Sequence, residues 1–321
     1  MNDSSEKNGK IFPDSGPEAP ISVTVREFVE NSSPELQLEV LCGHEYLNNR
    51  ISSAQVQKLG MALVGTSGDI HADRVQVIGR TESNFLQSLE DEDRRRAIQR
   101  IRKYEICCIV VVQGATIPDE MLQLSHERRI PFIQSGEAGD PSVAKINRWL
   151  ERRLAPRITL HGGLLEVFGL GVLILGPSGI GKSECALELV LKGHRLIADD
   201  YVEITRHGID QLSGEGGKVL RHHMELRGLG IIDIKELYGI SATGAMQNID
   251  FIVRLERWKA DGDYDRIGIG KSSRDILGVP IQVIDIPVAP GRNVATLVEV
   301  AARIHLLHQR GYKTSEVSFE G

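Results

Sequence analysis

The chain has 321 residues, of which 41% are hydrophobic and 26% charged, and its formal net charge at pH 7 is −6. This length predicts two domains, each large enough to bury its own core. The acidic balance gives no broad basic surface, so we expect no nucleic-acid partner. A signal peptide and a run of roughly 18 apolar residues are both missing from the sequence, so we expect no membrane association.

The first half of the chain is predicted to form an α/β domain. Residues 1–20 are mostly polar and are expected to form a disordered tail. Over residues 21–153, short apolar segments alternate with segments of helical period, which favours a mostly parallel sheet with helices on its faces. The predicted strands are Ile21–Val25, Leu36–Leu41, Val75–Ile78, Ile106–Val112 and Pro131–Gln134. The predicted helices are Gln55–Val64, Ser83–Tyr104, Pro118–Arg129 and Pro141–Leu154. No pattern here indicates a reaction, so a packing, regulatory or assembly role is preferred.

The cysteines indicate a reducing compartment. The sequence has four, Cys42, Cys107, Cys108 and Cys185, and no two of them form a C-x-x-C pair. Cys107 and Cys108 lie inside an apolar segment, where cysteine acts as a small buried hydrophobic residue. This usage predicts a cytoplasmic protein with free thiols.

The second half, residues 154–321, begins after a proline-containing linker and is expected to fold as a separate α/β domain. The apolar segments Arg157–Leu160 and Leu164–Phe168 flank His161–Gly163, which predicts a hairpin turn. The last helix is predicted over Asn293–Gln309, with Asn293 as its N-cap. Further strands are predicted at Arg195–Ala198, Tyr201–Thr205, Phe251–Leu255 and Ile281–Ile286.

This half contains a phosphate-binding loop. The segment Gly-Pro-Ser-Gly-Ile-Gly-Lys-Ser matches the pattern G-x-x-x-x-G-K-[ST] in full. It lies between an apolar strand and a segment of helical period, Ser183–Lys192, which is the context that the pattern requires. Its glycines allow successive N–H groups to face one concavity, while the lysine reaches phosphates and the serine hydroxyl reaches Mg²⁺. The sequence therefore predicts binding of a nucleoside triphosphate with Mg²⁺ by Gly176, Pro177, Ser178, Gly179, Ile180, Gly181, Lys182 and Ser183.

Acidic residues follow two of the predicted strands. Asp199 and Asp200 end the short strand before them, at the sheet edge where α/β proteins place ligands. The sequence does not decide which of the two orders a metal and which accepts a proton. Asp285 ends another strand and is a competing metal ligand.

Other candidate residues are scattered along the chain. His161 stands one strand before the phosphate loop, where an isolated histidine is more often structural. The segment Met224–Asp233 combines a carboxylate, a cation and two glycines, so that Glu225 could bind Mg²⁺ and Arg227 could meet phosphate. Residues 258–274 form a polar, glycine-rich segment that contains Arg266. It is expected to bring a cation over a transferring phosphoryl group.

Together these motifs resemble the HPr kinase/phosphorylases, bacterial enzymes of carbon-source regulation. The resemblance runs from Ile21 to Lys313 and is densest between His161 and Arg292. It is carried by the phosphate loop with the Ser-Glu-Cys-Ala-Leu-Glu-Leu that follows, by Gly-His-Arg-Leu-Ile-Ala-Asp-Asp, by Glu-Leu-Arg-Gly-Leu-Gly-Ile-Ile, and by Pro-Val-Ala-Pro-Gly-Arg.

The resemblance implies an architecture and an activity. The C-terminal domain should be similar to phosphoenolpyruvate carboxykinases around the nucleotide, and the N-terminal domain to an α/β domain of Mur ligases. The enzyme should use ATP to phosphorylate a serine of HPr, the phosphocarrier of the sugar phosphotransferase system. It should also remove that phosphate with inorganic phosphate, releasing pyrophosphate. A homohexamer with HPr bound across the C-terminal domains is implied as well.

The resemblance also implies residue roles. His161, Lys182, Asp200 and Arg266 match active-site residues, with Asp200 as the acid/base. Ser183 and Glu225 match Mg²⁺ ligands. The segment Met224–Asp233 matches a region used in both directions, and Pro287–Arg292 one linked to dephosphorylation.

Some features depart from the family or leave alternatives open. Pro177 replaces a frequent acidic residue and Cys185 a frequent threonine, but neither change removes a phosphate donor. A small-metabolite kinase, a nucleotide-switched regulator and a kinase for another protein serine share the phosphate loop. The first two give no reason for the segments at Met224 and Pro287.

Overall fold

The computed structural model describes residues 21–66, 69–112, 114–136, 141–217, 221–258 and 272–311. The predicted tail, residues 1–20, and Arg266 lie outside the described residues. The chain divides into two compact units, Met1–Ala155 and Pro156–Gly321. In the described part of the chain, no helix has the length and apolar character needed to cross a membrane.

The first unit is a mixed α/β unit. Its strands are β1 (Val23–Thr24), β2 (Leu38–Cys42), β3 (Arg50–Ile51), β4 (Gln57–Lys58), β5 (Gln76–Ile78), β6 (Ile109–Val111) and β7 (Phe132–Ser135). Its helices are α1 (Val25–Asn31), α2 (Gly60–Val64), α3 (Arg80–Ser88), α4 (Asp91–Ile101), α5 (Asp119–Arg128) and α6 (Pro141–Leu154). The main sheet has the order β2-β7-β6-β5-β4, and only β2 runs antiparallel to its neighbour. The predicted mostly parallel sheet is confirmed.

Three predicted elements of this unit are wrong in part. The expected long helix at Ser83–Tyr104 is two helices, because Leu89 and Glu90 adopt extended backbone conformations between α3 and α4. The acidic residues after Glu90 then occupy the first turn of α4, where the helix dipole favours negative charge. The hydrophobic period continues across this break and therefore does not mark it. Likewise, Gln55–Val64 begins with the two-residue strand β4, and Ile21–Val25 becomes β1 followed directly by α1. Strands this short show no alternation.

The second unit contains two larger sheets and a hairpin. Its strands are β8 (Arg157–His161), β9 (Gly163–Val167), β10 (Leu170–Leu175), β11 (Arg195–Ala198), β12 (Tyr201–His207), β13 (Gln211–Gly216), β14 (His223–Leu226), β15 (Gly230–Asp233), β16 (Met246–Asn248), β17 (Phe251–Arg257), β18 (Ser272–Ile276) and β19 (Val279–Val288). Its helices are α7 (Lys182–Leu191), α8 (Ile234–Tyr238) and α9 (Val294–Gln309). The predicted cap of α9 is confirmed, since the Asn293 side chain accepts a hydrogen bond from the Thr296 N–H at 2.7 Å. The α/β class is therefore confirmed in both units.

The direction of the strands gathers the functional loops at one edge. The large sheet has the order β11-β9-β10-β17-β19-β18. Strand β9 is antiparallel to both β10 and β11, while β10, β17 and β19 are mutually parallel. Strands β10 and β11 consequently point the same way, and the segments that follow them emerge at the same edge. The second sheet has the order β16-β13-β12-β8.

Two hydrophobic cores pack against the large sheet, one on each face. Alternate residues divide between them: Leu165 and Val172 pack with α7 and α9, whereas Leu164 and Leu173 pack with residues of the four-stranded sheet. Strands β9 and β10 are thus covered on both sides, which explains the uninterrupted apolar sequence of β10.

The predicted hairpin at His161–Gly163 is wrong. Strand β8 pairs with β12 in the four-stranded sheet, while β9 pairs with β10 and β11 in the six-stranded sheet. The chain passes from one sheet to the other at Gly162, where a Cβ atom would lie only 2.6 Å from the carbonyl oxygen of Ile174. Two apolar segments around paired glycines fit a turn and a sheet crossing equally well.

Candidate active site

The phosphate loop connects β10 to α7. Gly179 and Gly181 adopt left-handed conformations with φ of +75° and +106°, which residues with side chains rarely adopt. Gly181 caps the N-terminus of α7, and the helix begins at Lys182. Free N–H groups and the positive end of the helix dipole therefore face the space above the loop, as required for binding a phosphate.

A pocket of about 160 Å³ opens at this loop. Its walls combine residues from the loop, from β8, from the segment after β11 and from the β14–β15 hairpin. The lining residues are His161, Ser178, Gly179, Gly181, Lys182, Ser183, Glu184, Asp199, Asp200, Glu225 and Arg227. Most of the predicted site residues are thus brought together, whereas Gly176, Pro177 and Ile180 belong to the loop without lining the pocket.

Lys182 is held against the loop itself. Its ammonium group donates hydrogen bonds to the carbonyl oxygens of Gly176 at 3.1 Å and Pro177 at 3.3 Å. Burial lowers the pKa of Lys182, and the negative charges of Asp200 and Asp199 partly oppose that shift. An anion in the loop would add a partner of opposite charge and favour the protonated lysine.

Asp199 is the buried carboxylate of the pocket. Its Oδ1 accepts a hydrogen bond from the Ser183 hydroxyl at 3.2 Å, while its Oδ2 is buried without a hydrogen-bond partner in the described part of the chain. Burial raises the pKa of Asp199 to about 6, although the Ser183 hydrogen bond lowers it. An unsatisfied buried carboxylate oxygen is costly, which suggests that a cation completes this site.

The donor set fits Mg²⁺. Ser183, Asp199 and Glu225 offer hard oxygen ligands in one pocket, and Mg²⁺ prefers such ligands together with water and substrate phosphates. Among the described residues no group of three or more His, Cys, Asp or Glu side chains is arranged to hold a metal. This arrangement suits a metal bound by one or two carboxylates plus phosphate, and does not suit a metal fully enclosed by protein.

His161 and Asp200 form a hydrogen-bonded pair at the pocket. The distance from His161 Nδ1 to Asp200 Oδ1 is 2.9 Å, and the two side chains are 38% and 49% exposed. The pair is built by the crossing at Gly162, whose N–H donates to the Asp200 carbonyl at 2.9 Å. Asp200 itself has a φ of +72°, in the left-handed region. An accessible carboxylate, oriented by an imidazole beside a phosphate loop, can exchange a proton with a hydroxyl group.

Asp285, the competing candidate for a metal ligand, forms an ion pair outside the pocket. Asp285 accepts two hydrogen bonds from Arg254, at 2.5 and 2.8 Å, in a bidentate ion pair. It is not among the residues that line the pocket. The geometry therefore favours Asp199 over Asp285 as the carboxylate that assists a metal.

The sequence did not predict one of the lining residues, and it left the separate roles of Asp199 and Asp200 open. Glu184 directly follows the loop motif in the first turn of α7. Extending the motif by one residue would have identified it. The difference between Asp199 and Asp200 had no sequence signal, because it depends on burial against neighbours distant in the chain.

Comparison with known proteins covers nearly the whole chain. Residues 23–150 match the family model "HPr Serine kinase N terminus", and residues 152–320 match "HPr Serine kinase C-terminal domain". An HPr kinase/phosphorylase from Geobacter sulfurreducens is 40% identical over 295 residues, which is 92% of either chain. One from Leptospira biflexa is 38% identical over 299 residues, covering 92% of this chain and 93% of the relative. A solved HPr(Ser) kinase/phosphatase from Coxiella burnetii is 30% identical, with a TM-score of 0.44, and covers 48% of this chain and 99% of its own.

Proposed function

The chain belongs to the HPr kinase/phosphorylase family, as its motifs predicted, and we propose that it phosphorylates a serine of HPr with ATP and reverses this by phosphorolysis. One observation carries the proposal. The His161–Asp200 pair lies in the same pocket as the phosphate loop. A proton acceptor and a phosphate cradle are thereby adjacent, as phosphoryl transfer to a hydroxyl group requires.

In the forward direction Asp200 accepts the proton of the serine hydroxyl as that oxygen attacks the γ-phosphorus. The P–O bond to the β-phosphate breaks, and ADP leaves. His161 Nδ1–H donates to Asp200 and keeps the carboxylate oriented. Lys182 exchanges its carbonyl partners for phosphate oxygens, where it stabilises the developing negative charge. Arg266, outside the described residues, is assigned to the same charge by the family resemblance.

In the reverse direction an oxygen of inorganic phosphate attacks the phosphorus of phosphoserine. The bond from phosphorus to the seryl oxygen breaks, and Asp200, now protonated, gives its proton to that oxygen. The products are HPr serine and pyrophosphate. One carboxylate serves both directions because each proton transfer is the reverse of the other.

The pocket would hold Mg²⁺ through Ser183, Asp199 and Glu225. When bound, the ion neutralises part of the phosphate charge. We further propose that the protein assembles as a homohexamer, as the family implies, which sedimentation analysis can check.

The test uses the purified chain with Mg²⁺, ATP and HPr. Intact-mass spectrometry should show one added phosphate on HPr, and an HPr variant with alanine at the acceptor serine should stay unmodified. Inorganic phosphate added to the phosphorylated product should then release pyrophosphate. Asp200→Asn should bind ATP like the wild type and lose at least about 100-fold in transfer rate, in line with removal of a general base.

The alternative, a small-metabolite kinase, is separated by the same assay. It would consume ATP with a sugar or an organic acid as acceptor and leave the mass of HPr unchanged. An unchanged HPr mass with protein that binds ATP would refute the proposal.

A further inference from the structure

Arg227 reaches the pocket from the β14–β15 hairpin. Met224 and Leu226 of this hairpin are buried in the core beneath the large sheet. Because side chains alternate along a strand, Glu225 faces the opposite side of β14. Arg227 is the first residue of the turn after β14, and both residues line the pocket. The hairpin is therefore anchored by two apolar residues and presents two charged residues to the phosphate loop.

The contact between Arg227 and the loop depends on a missing side chain. A Cβ atom at Gly179 would lie 2.5 Å from Nη2 and 3.2 Å from Cζ of Arg227. With a side chain at position 179, the guanidinium of Arg227 would have to move away from the loop. Gly179 therefore serves two purposes, since it adopts a left-handed φ of +75° and leaves room for a guanidinium group directly against the loop.

The guanidinium of Arg227 forms no ion pair in the described part of the chain. Among the described residues, no carboxylate lies within the 4.0 Å ion-pair distance of its guanidinium group. Other arginines of this unit are paired, such as Arg254 with Asp285 and Arg195 with Glu166. The pocket also contains four carboxylates, those of Glu184, Asp199, Asp200 and Glu225, so an incoming phosphate needs cations in addition to Lys182.

We propose that Arg227 is a phosphate-binding residue of this site, and that Gly179 is required because it admits the guanidinium to the loop. Its planar fork of N–H donors binds the oxygens of phosphate or pyrophosphate held by the loop. The inference rests on the proposed function, because it assigns a role within the same site. It predicts that a side chain at position 179 displaces the guanidinium of Arg227 from the loop.

Calorimetric titration of the full-length chain with pyrophosphate, in one magnesium buffer and without HPr, tests this assignment. Arg227→Gln should weaken pyrophosphate binding about tenfold or more, the scale expected for a lost charge-assisted pair. Arg227→Lys should fall between the two, since a lysine keeps the charge but loses the fork. Lys235→Gln removes one positive charge from the adjacent helix α8, outside the pocket, and should bind within twofold of the wild type.

A double-mutant cycle tests the contribution of Gly179. Gly179→Ala should also weaken pyrophosphate binding, and Gly179→Ala combined with Arg227→Gln should bind no more weakly than Gly179→Ala alone. Losses that multiply would overturn the role of Gly179. Pyrophosphate binding by Arg227→Gln within twofold of the wild type would overturn the role of Arg227. Because HPr is absent, neither result depends on whether HPr is the acceptor. Equal melting temperatures without ligand establish that each variant is folded.

Discussion

At the scale of single residues, the pocket buries the carboxylate of Asp199, where a negative charge costs free energy. Asp199 is largely buried, and its Oδ2 has no hydrogen-bond partner in the described part of the chain. Burial raises the pKa of Asp199 from 3.8 to about 6. A carboxyl group with a raised folded-state pKa contributes most stability below the unfolded pKa, and this contribution is lost as the pH rises through about 6. The buried Asp199 carboxylate therefore destabilises the ligand-free protein at neutral pH.

Asp199→Asn should be more stable than the wild type at pH 8 in metal-free buffer, by about 1–3 kcal/mol, because asparagine cannot ionise. The difference should shrink as the pH falls through 6 and disappear near pH 4. Urea denaturation at each pH measures it.

The matched control is Asp210→Asn, in the exposed turn between β12 and β13, which should change stability little at any pH. Equal stabilities of Asp199→Asn and the wild type at pH 8 would contradict the buried-charge account. The stabilised variant should also bind MgATP more weakly, because it lacks the carboxylate that we propose as a Mg²⁺ ligand.

At the scale of elements, the passage of the chain between two sheets brings His161 and Asp200 together. Strand β8 ends at His161 in one sheet, and β9 begins at Gly163 in the other. His161 lies directly opposite Tyr201 on β12, next to Asp200. The ring of Tyr201 contacts the His161 ring edge-on, with centroids 5.6 Å apart. The position of His161 is thus set by strand pairing on both sides of Gly162.

Gly162→Ala should lower the free energy of unfolding by about 1–3 kcal/mol, the usual cost of overpacking. The added Cβ would meet the Ile174 carbonyl at 2.6 Å and a Leu175 methyl group at 2.7 Å. Relief of this contact should move His161 and reduce the rate of phosphoryl transfer. Urea denaturation and single-turnover kinetics measure the two effects.

Gly217→Ala is the matched control for this substitution. Nothing lies within 4 Å of a Cβ atom at Gly217, so the change should leave both quantities near their wild-type values. Wild-type stability and rate in Gly162→Ala would show that the crossing tolerates a side chain.

At the scale of the whole molecule, each unit has its own hydrophobic cores. Two clusters lie within residues 23–154 and two within residues 158–306, and no cluster of the described residues contains members of both units. The pocket is lined entirely by residues of the second unit. The residues that line the pocket therefore depend on the fold of that unit alone.

A fragment comprising residues 156–321 should fold cooperatively and bind ATP with an affinity within about threefold of the full chain, because it keeps both of its cores and every lining residue. Thermal unfolding followed by circular dichroism and ATP titration measure this outcome, with the full chain as the reference. A fragment without a cooperative transition would show that the first unit is needed for the second to fold.

The sequence alone determined the features whose causes are local. The phosphate loop is a contiguous motif, α6 follows a helical period, and the N-cap of α9 is one side chain next to its helix, so each was predictable. The family motifs also predicted that Glu225 and Asp200 belong to one site. The tertiary structure decided what depends on distant neighbours. It separated β8 from β9, buried Asp199 while leaving Asp200 accessible, and placed Arg227 against Gly179. These outcomes arise from strand pairing and burial between residues far apart in the chain, where a single sequence has no period or spacing to report them.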